Sequence, residues 1–497
     1  MDLTPEAATR AVLARDTRFA GRLYVGVVTT GVYCRPGCPA PLPKPRNMRF
    51  FGFAAAAEED GFRPCLRCRP ETAPGSPVWG GTSATVSRAL KRLFDGDGHE
   101  SVEALAESLG LGSRHLRRLF AEHVGASPAS LRRTHRVHFA RRLLDETSLP
   151  VSEIAFASGF ESVRRFNDAI RRTFHCAPRE LRKESRRGGR AARTDATTTR
   201  PVSLKLPVRL PFDANALFSF LEERALPGVE SVHGLSYSRT FETRGRTGFL
   251  TAAYEGGRDH LLLSFSPPFG PDLLELVRRA GRVFDVDADP LTIGETLGRD
   301  PVLAPLVAAR PGLRVPGAWD PFEVSVRAIL GQQVSVRGAR TLAGRLVEAF
   351  GKRIEGAAPV PGLTHVFPSP ASLARADLSR IGLPRARAEA IRTLARGAAS
   401  GRVDFSAPRG VADFESRLVA LPGIGPWTAQ YVALRALGEP DAFPSGDLGL
   451  RRALAKAGIP AAPREIAARA EAWRPFRAYA TLHLWTSLPA DPGKEAR

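Results

Sequence analysis

The sequence predicts a multidomain chain: a small metal-stapled α+β module, an all-α domain of two helix-turn-helix pairs, then an α+β layer leading into an all-α unit. Three observations carry this. At 497 residues the chain exceeds what one hydrophobic core normally organises, so several cores are expected. Four of its five cysteines crowd into residues 34–68. A helical periodicity that repeats itself internally fills residues 86–183, whereas strand-like runs occur only before and after it.

Each element follows in turn. Between Asp16 and Phe53, strand-like stretches such as 23–28 alternate with turn residues, and the cysteines sit at their edges, which marks residues 1–75 as the first module. A Pro/Gly-rich connector over 73–81 breaks every periodicity. Residues 85–183 then read as two similar halves. In one, residues 102–110 lead through Gly110 to a capped helix from Ser113; in the other, residues 151–159 lead through Gly159 to a capped helix from Ser162. The stretch 184–200 is Arg-, Gly- and Thr-rich without an apolar face, hence a solvated linker. Strands are expected at 202–206, 249–254 and 261–265 within an α+β layer over 201–312, and helices from about Asp320 to the end of a last unit, 313–489.

The formal charge of +21 and pI near 10.8 point to a polyanionic partner, with a merely solvated Arg-rich surface as the plain alternative. No apolar run reaches the roughly 20 residues of a membrane span, and Met1-Asp-Leu-Thr-Pro opens no signal peptide. A cytoplasmic, monomeric protein with no membrane partner is expected.

Cys34, Cys38, Cys65 and Cys68 form two close thiol pairs held by Pro and Gly turns. That set suits tetrahedral zinc, whose closed four-ligand sites are usual; two disulfides are the alternative, disfavoured in a reducing compartment. Cys176 lies in a helical pattern, where a small buried hydrophobe is expected.

Each Gly-separated helix pair can place its second helix in a DNA major groove. Arg114, His115, Arg117 and Arg118 on one, and Arg164, Arg165 and Asn167 on the other, offer donors to base edges and phosphates, although any basic helical hairpin looks similar. Two copies, with Gly159-Phe-Glu-Ser162, Phe166 and Pro178, resemble the AraC-type DNA-binding domain over residues 85–183. Beside it, residues 29–38 (Thr-Thr-Gly-Val-Tyr-Cys-Arg-Pro-Gly-Cys) and 61–68 (Gly-Phe-Arg-Pro-Cys-Leu-Arg-Cys) resemble the N-terminal domain of the Ada family. The resemblance implies that Cys34 is both zinc ligand and methyl acceptor from methylated DNA phosphate. It also implies transcriptional activation, with promoter DNA and RNA polymerase as partners. A purely structural zinc remains the alternative. The chain departs from that family at Pro39 and Pro41, where arginines are usual; Lys44, Arg46, Arg63 or Arg67 can substitute.

The segment Leu421-Pro-Gly-Ile-Gly-Pro-Trp-Thr-Ala429 places Gly423 and Gly425 where a backbone can approach a phosphate at a helix start, and Asp447 follows after Phe443-Pro-Ser-Gly446. This resembles the helix-hairpin-helix base-excision glycosylases. Members of that superfamily that also cut the strand carry a lysine where Trp427 stands here, so the resemblance implies a monofunctional glycosylase without lyase activity and with water as nucleophile. Trp427, Tyr431 and Trp485 resemble the aromatic cleft of the AlkA-like 3-methyladenine glycosylases, across residues 201–489. Electron-rich rings stabilise a cationic alkylated purine, and Asp447 would stabilise oxocarbenium character at the sugar. For the rings a plain core, and for Asp447 a helix N-cap, are the alternatives. Gln333 stands where those enzymes place a leucine wedge that fills the gap left by a flipped base.

The expected protein excises alkylated purines from double-stranded DNA, accepts methyl groups at Cys34 and regulates transcription. The rival is a sequence-specific regulator with a structural zinc and a non-catalytic, DNA-gripping C-terminal part.

Overall fold

The computed structural model describes residues 3–74, 84–95, 100–187, 201–266, 272–354, 358–405, 410–459 and 462–488. Most of the expected connector and residues 188–200 of the expected linker lie outside these. Two compact units emerge, residues 1–209 with 259–278, and residues 210–258 with 279–497.

In the first unit the cysteine module begins with α1 (Pro5–Leu13), started by the Thr4 cap and Pro5. Strands β1 (Tyr24–Val27), β2 (Val32–Cys34), β3 (Met48–Phe51) and β4 (Arg63–Pro64) form a sheet in the order β3-β1-β2-β4, with α2 (Ala54–Glu59) preceding β4. β1 runs antiparallel to both neighbours, while β2 and β4 are parallel, pairing Val32 with Arg63 and Tyr33 with Pro64. One step further along that ladder lie Cys34 and Cys65. The sheet register therefore brings the two cysteine pairs together.

Among the described residues seven helices follow: α3 (Ala84–Asp95), α4 (Val102–Ser108), α5 (Ser113–His123), α6 (Pro128–Glu146), α7 (Val151–Ala157), α8 (Val163–Phe174) and α9 (Pro178–Arg187). The first residues of the expected linker thus continue α9. Pairs α4–α5 and α7–α8 are the two expected halves, and α6 joins them. Leu105, Leu116, Phe120 and Leu131 form part of one core, and Ile154, Phe166, Ile170 and Phe174 are buried in the other half. Cys176 corrects the expectation: it lies half-buried in the turn between α8 and α9, because the helix ends at Phe174 with His175 left-handed. Strands Val202–Pro207 and His260–Phe265, at two of the three stretches expected to be strands, pair antiparallel and fall in this unit, not in a separate layer over 201–312.

In the second unit, helix Ala214–Arg224 packs on an antiparallel meander of strands Glu230–His233, Ser236–Thr243 and Arg246–Tyr254. Helices dominate from Pro321, but not exclusively: a two-rung ladder joins Lys352–Arg353 to His365–Val366, too short to leave an alternating pattern in the sequence. Helix Pro321–Leu330 runs through the core and packs against helices Arg385–Ala399 and Pro426–Ala436. Its Glu323 accepts from Arg239 at 2.8 Å and pairs with Arg327 at 3.0 Å, while Glu230 pairs with Arg327 at 2.9 Å. The side chains of Arg239, Glu230 and Glu323 are buried and that of Arg327 partly so, and their charges compensate one another, as burial demands. Among the described residues no helix is long and apolar enough to cross a membrane.

Candidate functional site

The four sulfurs of Cys34, Cys38, Cys65 and Cys68 all lie within 4.8 Å of one another, and none is in a disulfide. Tetrahedral zinc with bonds of about 2.3 Å needs sulfurs roughly 3.8 Å apart, so the cluster fits that ion. The loops are pinned: Arg15 donates to the carbonyls of Cys38 and Ala40, and Arg35 Nε to that of Cys68 at 3.0 Å. Cys38 is half-buried, whereas Cys34, Cys65 and Cys68 are buried, at 9%, 8% and 5% exposure. Pro39 and Pro41 are exposed beside it, as are Lys44, Arg46 and Arg67; Arg63 is half-buried.

On α5, Arg114, His115, Arg117 and Arg118 are all exposed, and on α8 so are Arg164 and Arg165. Asn167 is half-buried, a departure from the exposed position expected, because it follows Phe166 at the edge of the buried stripe. Arg117 pairs with Glu103 at 2.7 Å and Arg165 with Glu161. Such exposed pairs contribute little and exchange readily for a phosphate. Arg171 and Arg172 extend the exposed basic face of α8 and were not singled out by the sequence reading.

Helices Val411–Val419 and Pro426–Ala436 flank the glycine loop. Gly423 has φ +81°, and a Cβ there would come within 2.6 Å of the Ala390 side chain, so glycine is required. Gly425 caps the second helix without a side-chain bond, leaving its first N–H groups for an external acceptor. Gln332 donates to the Gly423 carbonyl at 3.0 Å and to Thr428 Oγ1 at 3.1 Å, and its own carbonyl accepts from Arg387 at 2.7 Å. Its neighbour Gln333 is exposed with φ +57°, a protruding left-handed residue on an anchored base.

Asp447 closes the arrangement. It is the N-cap of helix Leu448–Lys456, and Oδ1 accepts from Leu450 N at 3.0 Å. Oδ1 also accepts from Trp485 Nε1 at 2.8 Å, and Oδ2 from Trp427 Nε1 at 2.9 Å. The cap reading therefore holds, together with two indole contacts that it does not explain. Trp427 stacks on Tyr431 with centroids 5.3 Å apart and planes 16° apart, and Tyr431 lies 6.4 Å from Trp485. Asp447 and all three rings are half-buried, so they line an accessible wall and are not a sealed core.

Two supporting residues escaped the sequence reading. Arg435 donates to the Tyr431 hydroxyl at 2.8 Å and to the carbonyls of Pro316 and Gly317, fixing the ring from behind. Burial would raise the phenol's pKa, but Arg435, Arg224 and Arg327 outweigh it and hold it below the usual tyrosine value. Gly449 is the other: a Cβ there would lie 2.9 Å from Asp447 Oδ1 and 3.0 Å from the Trp485 ring. The i+4 spacing of Tyr431 and Arg435 was the only signal available for the first. Gly449, two positions after an expected cap, left none.

Four families match the chain in succession: "Metal binding domain of Ada" over residues 7–71, "Helix-turn-helix domain" over 105–184, "AlkA N-terminal domain" over 203–320, and "HhH-GPD superfamily base excision DNA repair protein" over 326–478. The chain is 43% identical over 484 residues to a probable bifunctional transcriptional activator/DNA repair enzyme AlkA of Mycobacterium tuberculosis, covering 97% of this chain and 96% of that one. It is 38% identical over 279 residues to DNA-3-methyladenine glycosylase 2 of Escherichia coli, 55% of this chain and 94% of that one. A 3-methyladenine DNA-glycosylase from Archaeoglobus fulgidus, 23% identical, shares the fold with a TM-score of 0.50 over 57% of this chain and 97% of its own.

Proposed function

The chain belongs to the family of bifunctional transcriptional activator/DNA repair enzymes of the AlkA type, and on that premise we propose that it excises alkylated purines from DNA and converts alkylation damage into a transcriptional signal. The observation that carries the first half is the Asp447 carboxylate, held between the indole N–H groups of Trp427 and Trp485 beside a stacked tyrosine.

An N-alkylated purine still bonded to its sugar in DNA, such as the 3-methyladenine nucleotide, is cationic, and the rings of Trp427, Tyr431 and Trp485 receive it by stacking and cation–π attraction. Its charge already weakens the bond to the sugar. As that bond breaks, the electron pair leaves with the base, which departs neutral, and positive charge develops on the sugar. Asp447 stabilises that charge and orients a water whose oxygen bonds to the sugar carbon, releasing one proton and leaving an abasic site. A carboxylate offers about four acceptor positions. Three are taken here, leaving room for that water. Trp427 occupies the place of a strand-cutting lysine, so no Schiff base forms and the enzyme lacks lyase activity. Gln333, on its anchored loop, fills the space vacated by the flipped base, and Gly423 and Gly425 hold the flanking phosphate.

Zinc is the cofactor of the N-terminal module; held by Cys34, Cys38, Cys65 and Cys68, it keeps the thiols deprotonated and in place. The Cys34 sulfur attacks the methyl carbon of a DNA methylphosphotriester. The S–C bond forms as the C–O bond breaks, and the phosphate leaves as an ordinary diester anion. Loss of one negative charge facing DNA raises affinity, so Arg114, His115, Arg117, Arg164, Arg165 and Asn167 then hold promoter DNA for RNA polymerase. The protein acts in the cytoplasm as a monomer.

Incubation with duplex DNA carrying 3-methyladenine, followed by quantitation of free base and of strand breaks, tests the first half. Free base without breaks is expected; no free base would leave the C-terminal part a DNA grip. Mass spectrometry after exposure to methylphosphotriester DNA tests the second. A methyl adduct on Cys34 is expected, and its absence would make the zinc purely structural.

A further inference from the structure

Three polar junctions tie the cysteine module to α6, the helix that joins the two helix-turn-helix pairs. At its start, the Glu59 carboxylate accepts from Ser127 N at 3.1 Å and Ser127 Oγ at 3.2 Å, so the cap of α6 is itself held by α2. In its middle, Glu58 accepts from Thr134 Oγ1 at 2.7 Å and from the Tyr33 hydroxyl at 3.0 Å, with His138 Nε2 at 3.0 Å from the same carboxylate oxygen. Towards its end, Arg69 pairs with Asp145 and, through Nε, with Glu71 at 3.0 Å, while Arg141 reaches Asp145 at 3.0 Å. Tyr33 and Asp145 are completely buried, and Arg141 nearly so.

The anchors are not scattered at random along the module. Tyr33 immediately precedes Cys34, and Arg69 immediately follows Cys68. Two of the four cysteines are thus chain neighbours of the groups that grip α6. The junctions run from Ser127 to Asp145, almost the whole of its 19 residues, roughly 28 Å of helix.

We propose that the zinc centre is also the organising centre of the DNA-reading domain. With the metal holding the four cysteines, Tyr33 and Arg69 are fixed where they meet α6, and α6 holds the two recognition helices α5 and α8 at one spacing. Without the metal the cysteine loops separate, and the grip of Tyr33 and Arg69 goes with them. Asp145, Glu58 and Glu71 then face burial with incomplete compensation, which a protein relieves by opening the interface to water. Two reading heads on a loosened spindle no longer meet two successive grooves together, so operator binding becomes zinc-dependent. This rests on zinc binding by the four cysteines and holds whether or not Cys34 accepts methyl groups.

Hydrogen exchange on the full chain, read by mass spectrometry before and after removal of zinc with a chelator, tests it. Exchange within α6 should accelerate by roughly 10²-fold, the size expected when a buried charge loses its partner. Helices Pro426–Ala436 and Arg477–Thr486 should be unchanged, and zinc ions added back should restore α6. In parallel, affinity for an undamaged duplex should be lost and regained. Full protection of α6 after verified loss of zinc overturns the proposal. Asp145→Asn supplies a second test that leaves the cysteines intact: it should retain one zinc per chain yet speed exchange in the second half of α6, and unchanged exchange there overturns the proposal as well.

Discussion

Replacing Asp447 with asparagine separates the two tasks of this side chain, because the amide keeps the shape and can still cap the helix but carries no charge. In the native site the carboxylate accepts three hydrogen bonds, from Trp427 Nε1, Trp485 Nε1 and Leu450 N. An asparagine that keeps its oxygen towards Trp485 and Leu450 turns its NH₂ towards the Trp427 N–H, donor against donor. One charge-assisted bond is lost, costing about 1.5–3 kcal/mol. The catalytic loss is larger. A full charge developing on the sugar about 4 Å from a carboxylate, at an effective dielectric of about 20, is stabilised by roughly 4 kcal/mol, a factor of about 10³ in rate. Single-turnover release of 3-methyladenine should therefore fall by about 10³-fold in Asp447→Asn. Trp427→Phe is the control, since it deletes the same hydrogen bond and leaves the charge. A rate for Asp447→Asn within tenfold of the native protein, or no lower than that of Trp427→Phe, would make Asp447 a helix cap alone and remove the basis for the proposed chemistry.

Other perturbations follow from the same geometry. Gly449→Ala puts a methyl group 2.9 Å from Asp447 Oδ1 and 3.0 Å from the Trp485 ring; helix propensity alone would favour alanine by about 1 kcal/mol, so thermal stability should hold while single-turnover rate drops by about 10² through misplacement. Gln333→Leu exchanges a hydrated amide for an apolar wedge, and burial of that side chain in a base stack should tighten binding to an abasic-site duplex by about 1.5–3 kcal/mol in a titration; equal affinity would place Gln333 outside the gap. Burial holds His483 down at about 4, with Arg310 acting the same way and Asp213 opposing. The unfolded chain then binds more protons than the folded one between pH 6.5 and 4, so stability is lost as pH falls through that window, by roughly 3 kcal/mol in full. Denaturant titrations across it should show the loss in the native protein and its disappearance in His483→Leu.

What the sequence made legible is what local spacing controls. Two thiols four positions apart and two more three apart are near in space whatever the rest of the chain does, and the repeat of helix, Gly110 or Gly159, and helix recurs because each turn is solved locally. The glycine loop and the capping role of Asp447 are of the same kind. Illegible were the partners supplied from a distance. Trp427 and Trp485 stand 20 and 38 positions from Asp447, and the resemblance to the AlkA-like glycosylases implied an aromatic cleft; that both indoles turn their N–H edges to one carboxylate depends on three helices meeting. Glu58, His138 and Asp145 were equally silent, since isolated charges on helical patterns read as solvated faces, and only tertiary packing decides that these face one another. The half-buried position of Asn167 has the same origin: its helical phase was right, but the width of the buried stripe is set by what packs against it.

The clamp on Asp447 bears on both halves of the bond to be broken. A carboxylate at a helix N-cap interacts favourably with the helix dipole and with the backbone N–H it accepts from, here Leu450 N at 3.0 Å. Each indole N–H that donates to it is polarised in return, and hydrogen bonds in a low-dielectric site strengthen one another this way. Electron density moves into the rings, and the negative faces that would receive a cationic purine become more negative. In the proposed reaction one charge would therefore act on the sugar through space and on the base through the two tryptophans that hold it. Neither action requires a proton to be supplied to the leaving base, and the groups that meet Asp447 among the described residues are the indole N–H groups of Trp427 and Trp485 and the backbone N–H of Leu450. The proposed reaction is accordingly one of leaving groups activated by alkylation, and a preference for damaged over normal purines would follow from the charge that normal purines lack.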